Sequence, residues 1–296
     1  MTIAFAGERG AYAELAAIEY FGMEKNLVAV PEFADVFRGV AGARYRYGVV
    51  PIENSLAGSI HQNYDNLLES NLHIAGEIQL RIHHCLIANT GVSRRSVRRV
   101  FSHPAAFAQC KKFLKKFPHL EVIPVSNTAV AVKKIRDERL NNAAAIASRQ
   151  AAIDFDMQVI GNAIEDTRWN TTRFIVLSKK PEFPPQSARS VKSSIVFSVK
   201  NIPGALYKCL SVFALRDVNL YKIESRPVYG KGFQYLFYLD FSGDARCEAQ
   251  RNAINHLQEI TSFYRFLGSY RCDRPRDPRC LSGRGRVTGR TAADRT

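Results

Sequence analysis

The stretch Tyr47-Gly48-Val49-Val50-Pro51-Ile52-Glu53-Asn54-Ser55 turns abruptly from apolar to polar. Tyr47 to Pro51 has the uncharged, β-branched character of a buried strand. Glu53, Asn54 and Ser55 then deliver a carboxylate, an amide and a hydroxyl at its carboxyl end, where open α/β sheets bind ligands. A helix cap at Asn54, Ser55 or Ser59, with Glu53 in a surface ion pair, is the alternative. The stretch by itself leaves both readings open. Upstream, Thr2 to Ala6 reads as a strand, Ala11 to Phe21 as a helix and Leu27 to Val30 as a strand. Downstream, Ile60 to Leu68 reads as helix, Leu72 to Ala88 as strand-rich, and Val100-Phe101-Ser102 as a strand feeding a helix opened by Pro104. Val122 to Val125, a helix from Thr128 to Glu138, Ala144 to Ala147 and Arg173 to Leu177 continue the alternation. The first 178 residues are therefore expected to be α/β, with a largely parallel sheet and two lobes.

Periodicity stops at Lys179-Lys180-Pro181-Glu182-Phe183-Pro184-Pro185-Gln186-Ser187, which reads as a linker spanning 179–192. Beyond it come a strand (Ser193 to Val199), a helix (Gly204 to Leu215), a strand (Val218 to Val228), a turn at Gly230-Lys231-Gly232, a strand (Phe233 to Phe241), a helix (Ala245 to Ile260) and a strand (Phe263 to Tyr270). A βαββαβ order over 193–271 predicts an α+β ferredoxin-like sandwich. Leu206, Leu210, Phe213 and Ala214 should share one face of its first helix, and Tyr235, Phe237 and Leu239 should alternate along a strand. Residues 272–296, basic and almost without apolar periodicity, are expected to be disordered.

With 296 residues, 46% hydrophobic and 23% charged, the chain is large enough for two domains. Its net charge of +15 could suggest nucleic acid, but eight Arg and three Asp from residue 271 onward supply a third of the excess. The clusters Arg94-Arg95-x-x-Arg98-Arg99 and Lys111-Lys112-x-x-Lys115-Lys116 read as solvated helix faces. Six scattered cysteines suggest neither a disulfide framework nor a zinc site. The start Met1-Thr2-Ile3-Ala4-Phe5-Ala6 shows no basic leader or apolar span, which gives a cytoplasmic expectation.

Three further motifs stand at strand ends. Gly7-Glu8-Arg9-Gly10-Ala11-Tyr12 opens a helix, where backbone N–H groups can meet an anion. It lacks the third glycine of a dinucleotide fingerprint, so NAD is not expected. In Ser102-His103-Pro104-Ala105-Ala106-Phe107-Ala108-Gln109-Cys110, Ser102 and His103 could be plain helix-start residues, whereas Gln109 lies among apolar neighbours and needs a partner. His83-His84 reads as strand filler. Finally, Trp169-Asn170-Thr171-Thr172-Arg173-Phe174 brings a hydroxyl, a permanent cation and an aromatic to the mouth of a strand. A hydroxyl can relay a proton to an oxygen leaving group while a guanidinium forks onto a carboxylate.

Taken together and in this order, Gly-x-x-Gly-Ala-Tyr, Pro-Ile-Glu-Asn-Ser-x-x-Gly, Ser-His-Pro-x-x-x-x-Gln-Cys and Asn-x-Thr-Arg-Phe closely resemble the prephenate dehydratases and their relatives the arogenate dehydratases. Pro203-Gly204-Ala205-Leu206 and Glu224-Ser225-Arg226-Pro227 look like the two phenylalanine-binding motifs of the ACT regulatory domain in these enzymes. Ala105 departs from the pattern, which usually has Gln after the proline. The resemblance implies a two-lobed, type II periplasmic-binding-protein-like catalytic domain followed by an ACT domain. It implies conversion of prephenate to phenylpyruvate, water and carbon dioxide without metal or organic cofactor, with arogenate as the alternative substrate. A non-catalytic amino-acid sensor is a remote alternative. Thr172 is expected to assist the departing hydroxyl, with Glu53 or a bound water supplying its proton. Asn54 and Gln109 complete the catalytic group. Arg173, Ser102, Ser55, Ala11 and Phe174 are expected to bind substrate. Gly204, Ala205, Leu206, Glu224 and Ser225 are expected to bind the effector L-phenylalanine between paired ACT domains, in a dimer or tetramer. Neither nucleic acid nor membrane is expected as a partner.

Overall fold

A computed structural model describes residues 1–188, 190–228 and 234–272. The basic tail and the turn at Gly230-Lys231-Gly232 lie outside the described residues. β1 (Thr2–Ala6), α1 (Tyr12–Phe21) and β2 (Asn26–Val30) form a crossover unit with its two strands parallel. α2 (Phe33–Ala41) leads to β3 (Tyr47–Asn54), parallel to β1 on its other side. The short β4 (Gly58–Ser59) folds back on β3, and α3 (His61–Glu69) and β5 (His73–Arg81) follow.

The chain then leaves for a second sheet. It is built from β6 (Cys85–Ala88), β7 (Arg99–Ser102), α4 (Pro104–Gln109), α5 (Lys111–Lys115), β8 (Glu121–Pro124), α6 (Thr128–Asp137), β9 (Ala143–Ala147), α7 (Arg149–Asp154) and β10 (Gln158–Gly161). β11 (Thr171–Ser178) returns to the first sheet and inserts between β3 and β5. The two orders are β2-β1-β3-β11-β5 and β10-β6-β9-β7-β8.

The expectation of a largely parallel sheet is corrected, because both sheets are mixed. β11 arrives from the far lobe and so runs against β3 and β5 alike, while β6 runs against both β9 and β10. The Arg94 cluster is also not a helix face. Arg94–Ser96 is a single 3-10 turn, with the Arg94 guanidinium over the rings of Phe113 and Phe117.

The C-terminal unit comprises β12 (Val191–Ser198), α8 (Ala205–Ala214), β13 (Leu220–Pro227), β14 (Tyr235–Ser242), α9 (Glu248–Ile260) and β15 (Phe263–Arg271). Its order β13-β14-β12-β15, antiparallel throughout, is the ferredoxin-like arrangement. β12 begins at Val191, inside the expected linker. On α8 the buried residues are Cys209, Val212 and Phe213, with Leu206 and Leu210 beside them, whereas Ala214 is exposed.

Both faces of this sheet are covered. Ile195, Phe197, Leu239 and Phe241 meet the helices. Val196, Leu236, Tyr238, Leu267 and Tyr270 instead join one core with Tyr64, Leu67, Leu72 and Ile74 of the first lobe. At the seam the backbones nearly touch, and a Cβ on Gly268 would stand 2.1 Å from the carbonyl oxygen of Ile74.

Candidate active site

Segments 82–84 and 162–170 cross between the lobes, and the space beside them is a cleft of about 380 Å³. That volume suits a small metabolite. Gly10 has φ +78 and abuts the second lobe so closely that a Cβ would lie 2.5 Å from the Cα of Ala151. Its carbonyl accepts from the Ser148 hydroxyl at 2.6 Å. The first glycine-rich motif thus serves close approach of the lobes at this point.

The cleft wall is set by strand periodicity and one irregularity. Along β11, Thr172 and Phe174 face the cleft and Arg173 faces the C-terminal sandwich. Opposite the Arg173–Phe174 step, β3 carries an extra residue, since Arg173 pairs with Glu53 but Phe174 with Pro51. This bulge at Ile52 shifts the alternation, so that Pro51 and Asn54 line the cleft while Glu53 points away.

A polar chain runs from there across the floor. Asn54 Nδ2 donates to Thr172 Oγ1 at 2.9 Å and to Asn170 Oδ1 at 2.8 Å. Asn54 Oδ1 is held by the backbone N–H groups of Leu56 and Ala57 at 3.0 and 2.9 Å. Asn170 Nδ2 donates to Gln109 Oε1 at 2.8 Å, which also receives His84 Nε2 at 2.8 Å. The Tyr12 hydroxyl lies 3.1 Å from His84 Nδ1 and donates to the carbonyl of His83 at 2.5 Å.

This sequence of donors and acceptors has a fixed polarity. Thr172 Oγ1 receives a proton donor from the protein, so its own O–H is available to the cleft. Gln109 Oε1 receives two, which leaves its amide N–H groups for a ligand. The titratable side chains in the lining are Tyr12, His84 and His103. Burial lowers the pKa of both histidines and raises that of Tyr12 well above the usual phenol. The lining is therefore uncharged at neutral pH. The ten-residue helices α1 and α6 direct their N-termini into it at Ala11 and at Asn127-Thr128, a favourable potential for anions.

Of the residues expected to act together, Thr172, Asn54, Gln109, Ala11 and Phe174 do line this cleft. The other four placements are corrected. Glu53 is held by Lys222 Nζ at 2.9 Å and lies 3.7 Å from Arg173, on the sandwich side of β3. Arg173 spends its guanidinium on Glu77, Asp240 and Tyr270, because the alternation that puts Thr172 in the cleft puts its neighbour behind it. Ser102 is fully buried and donates to the carbonyl of Ile146 at 2.6 Å, and it is His103 that caps α4. Ser55 is exposed, bracing β11 through the carbonyl of Trp169 and the N–H of Thr171.

In the sandwich, Gly204 takes the left-handed conformation at the start of α8, with Ala205 and Leu206 in its first turn. Glu224 turns toward the first lobe, where Ser59, Lys222 and His61 bind its carboxylate, so it does not wait for an ammonium group. Burial acts to raise its pKa, but those partners hold it below the usual range. Ser225 is exposed on the opposite face of β13.

The sequence reading did not place Tyr12, His84, His103 or Asn127 in the cleft, nor Asn170 beneath it. Asn170 stood beside Thr172 in the quoted motif, and its complete burial could not be read from there.

A family model for prephenate dehydratase matches residues 3–182. The chain is 46% identical over 282 residues to arogenate dehydratase/prephenate dehydratase 2, chloroplastic, of Arabidopsis thaliana, covering 92% of this chain and 73% of the relative. Among solved structures it resembles prephenate dehydratase from Arthrobacter aurescens in complex with L-Phe, with TM-score 0.85 and 28% identity over 92% of this chain and 90% of that one. It also resembles GqqA, described as a novel type of quorum quenching acylase, with TM-score 0.84 and 30% identity over 92% and 98%. The cytoplasmic expectation is corrected by these relatives, since the Arabidopsis protein and others at 40% identity are named chloroplastic. The character of the opening residues is not a reliable address.

Proposed function

The chain belongs to the prephenate dehydratase family, and from that premise we propose that its interlobe cleft takes prephenate and releases phenylpyruvate, water and carbon dioxide. The observation that carries this reading is the polarity of the Asn54–Thr172 pair, which leaves the Thr172 O–H aimed at a ligand oxygen. The ring carboxylate leaves as carbon dioxide, its bonding electrons enter the ring, and the C–O bond to the ring hydroxyl breaks. Thr172 supplies a hydrogen bond and a proton to that departing oxygen. Because Glu53 faces away, solvent water restores the threonine proton. The N-termini of α1 and α6 receive the carboxylates, and Gln109 Nε2 donates to the side-chain keto oxygen. Aromatisation provides the driving force, so orientation and one donor suffice.

Arogenate, with an ammonium in place of the keto oxygen, is the second reading, favoured by the names of the most similar plant relatives. Against it, the cleft lining contains no Asp or Glu among the described residues to meet an ammonium. Incubation of the purified chain with each acid separates the two, since phenylpyruvate marks one substrate and phenylalanine the other. Thr172→Ala is expected to lower kcat by about 10²- to 10⁴-fold with KM little changed. Turnover near that of the wild type in this variant would remove Thr172 from the reaction.

The sandwich serves, on this reading, as an ACT domain that binds L-phenylalanine and inhibits. Support comes from the left-handed Gly204 at a helix start suited to a carboxylate and from the L-Phe complex of the similar bacterial enzyme. Exposed Ile202, Tyr207 and Leu215 offer an apolar surface for pairing two sandwiches in a dimer or tetramer. Equilibrium dialysis of L-phenylalanine against wild type and Gly204→Val tests it, and equal binding by both would rule out this position.

A further inference from the structure

Arg173 is a buried charge with three hydrogen-bonded partners. Nε donates to Glu77 at 2.6 Å, NH1 to Asp240 at 2.6 Å and NH2 to the Tyr270 hydroxyl at 3.0 Å. Glu77 also receives Lys192 Nζ at 2.7 and 2.9 Å. Asp240 is further bound by the Ser194 hydroxyl, which lies 2.6 Å from that of Tyr270. Arg173 and Lys192 thus meet Glu77 and Asp240 in a site from which solvent is almost excluded, with Glu53 3.7 Å from Arg173 at its edge. Glu77 and Arg173 come from the first lobe, whereas Lys192, Ser194, Asp240 and Tyr270 come from the C-terminal sandwich.

The cluster stands directly behind Thr172, where the β3–β11 ladder is broken by the bulge at Ile52. Backbone pairing is irregular on the β3 side, whereas β11 pairs with β5 without a shift from Thr171 to Val176. Arg173 adds a tie that no backbone pairing supplies, from β11 to β14 of the sandwich through Asp240.

We propose that Arg173 is a positioning residue, clamped from the C-terminal sandwich by Asp240 and Tyr270, and that this clamp sets the aim of the neighbouring Thr172 hydroxyl. The sandwich is then a working part of the catalytic cleft as well as a neighbour of it. The proposal rests on the dehydratase reading above.

The test uses the full chain, with kcat, KM and melting temperature measured for wild type, Asp240→Asn, Tyr270→Phe and Asp65→Asn. Asp240→Asn keeps the volume and removes the charge. Tyr270→Phe is the milder change should the first variant fold poorly. Asp65→Asn is the control, because it breaks another contact between lobe and sandwich, the ion pair with Arg226 at 2.7 Å. The clamp predicts a kcat at least tenfold lower in Asp240→Asn and about threefold lower in Tyr270→Phe, each with KM within twofold, and an unchanged kcat in Asp65→Asn. Adding Asp240→Asn to Arg173→Lys should lower kcat no further than Arg173→Lys does alone, since both act on one contact. Unchanged kcat in the folded Asp240→Asn or Tyr270→Phe enzyme, or an equal loss in Asp65→Asn, would overturn the proposal while leaving the dehydratase reading intact. A wild type inert on both acids would overturn that reading and this proposal with it.

Discussion

At the scale of single residues, His84 has the greatest consequence for behaviour in solution. It is almost wholly buried, with Gln109 on one ring nitrogen and Tyr12 near the other. Burial holds its imidazole below the usual histidine range, partly offset by the Gln109 hydrogen bond and by Glu165. The unfolded chain, with a histidine pKa of about 6.5, thus binds a proton more readily than the folded one. The stability tied to a neutral His84 is present above about pH 6.5 and is lost as pH falls below it toward the depressed folded value. The melting temperature of the wild type should therefore fall between pH 7 and pH 5. The fall should be shallower in His84→Gln, which keeps a polar side chain and removes the titration. Parallel curves for the two would mean that His84 is protonated as easily in the cleft as in the unfolded chain.

At the scale of elements, the seam between β15 and β5 is held by backbone proximity. A methyl at position 268 has nowhere to go, because its obstacle is the Ile74 carbonyl and not a flexible side chain. Gly268→Ala is expected to cost about 1–3 kcal/mol, as overpacking of a close contact does, measured as a lowered urea midpoint. An unchanged midpoint would show that the two strands can slide apart at no cost. Other elements show how sequence signals succeed or fail. The helix from Thr128 is legible in the sequence, while its cap is seen only in the structure, where the Asn127 side chain accepts the Ala129 N–H at 2.8 Å. α2 went unassigned although Glu32 and Asp35 form a reciprocal capping box, since Glu replaces the usual Ser or Thr at its start. The bulge on β3 left no mark at all, and it alone decides whether Glu53 or Asn54 enters the cleft.

At the scale of the whole molecule, the face of the C-terminal sheet turned away from its helices packs on the first lobe. One core runs from Val36 and Phe37 of α2 through Tyr64 and Leu72 to Tyr238 and Tyr270. Arg265 adds hydrogen bonds to the carbonyls of Leu68 and Leu72 at 2.6 and 2.8 Å, and Tyr238 adds one to that of Tyr64 at 2.9 Å. A core shared in this way couples the unfolding of the two units. Calorimetry of the full chain should give one transition whose van't Hoff and calorimetric enthalpies agree. Two resolved transitions would mean that the seam contributes little.

The sequence by itself determined most of the strands and helices and the set of motifs that marks the family. These follow from residue periodicity, turn chemistry and motif spacing, all of which act along the chain. It also named Thr172, Asn54 and Gln109, whose residue types suit proton relay and amide orientation. Only the tertiary structure decided which neighbours share a surface. Thr172 and Arg173 are adjacent in sequence yet face opposite ways, because a strand alternates. Glu53 and Asn54 exchange their expected sides because one extra residue enters the ladder. Asn170 stands in the same segment as Thr172, whereas His84 and Tyr12 enter the site from distant ones, and what brings them there is the closure of two lobes, a long-range event that local pattern does not encode.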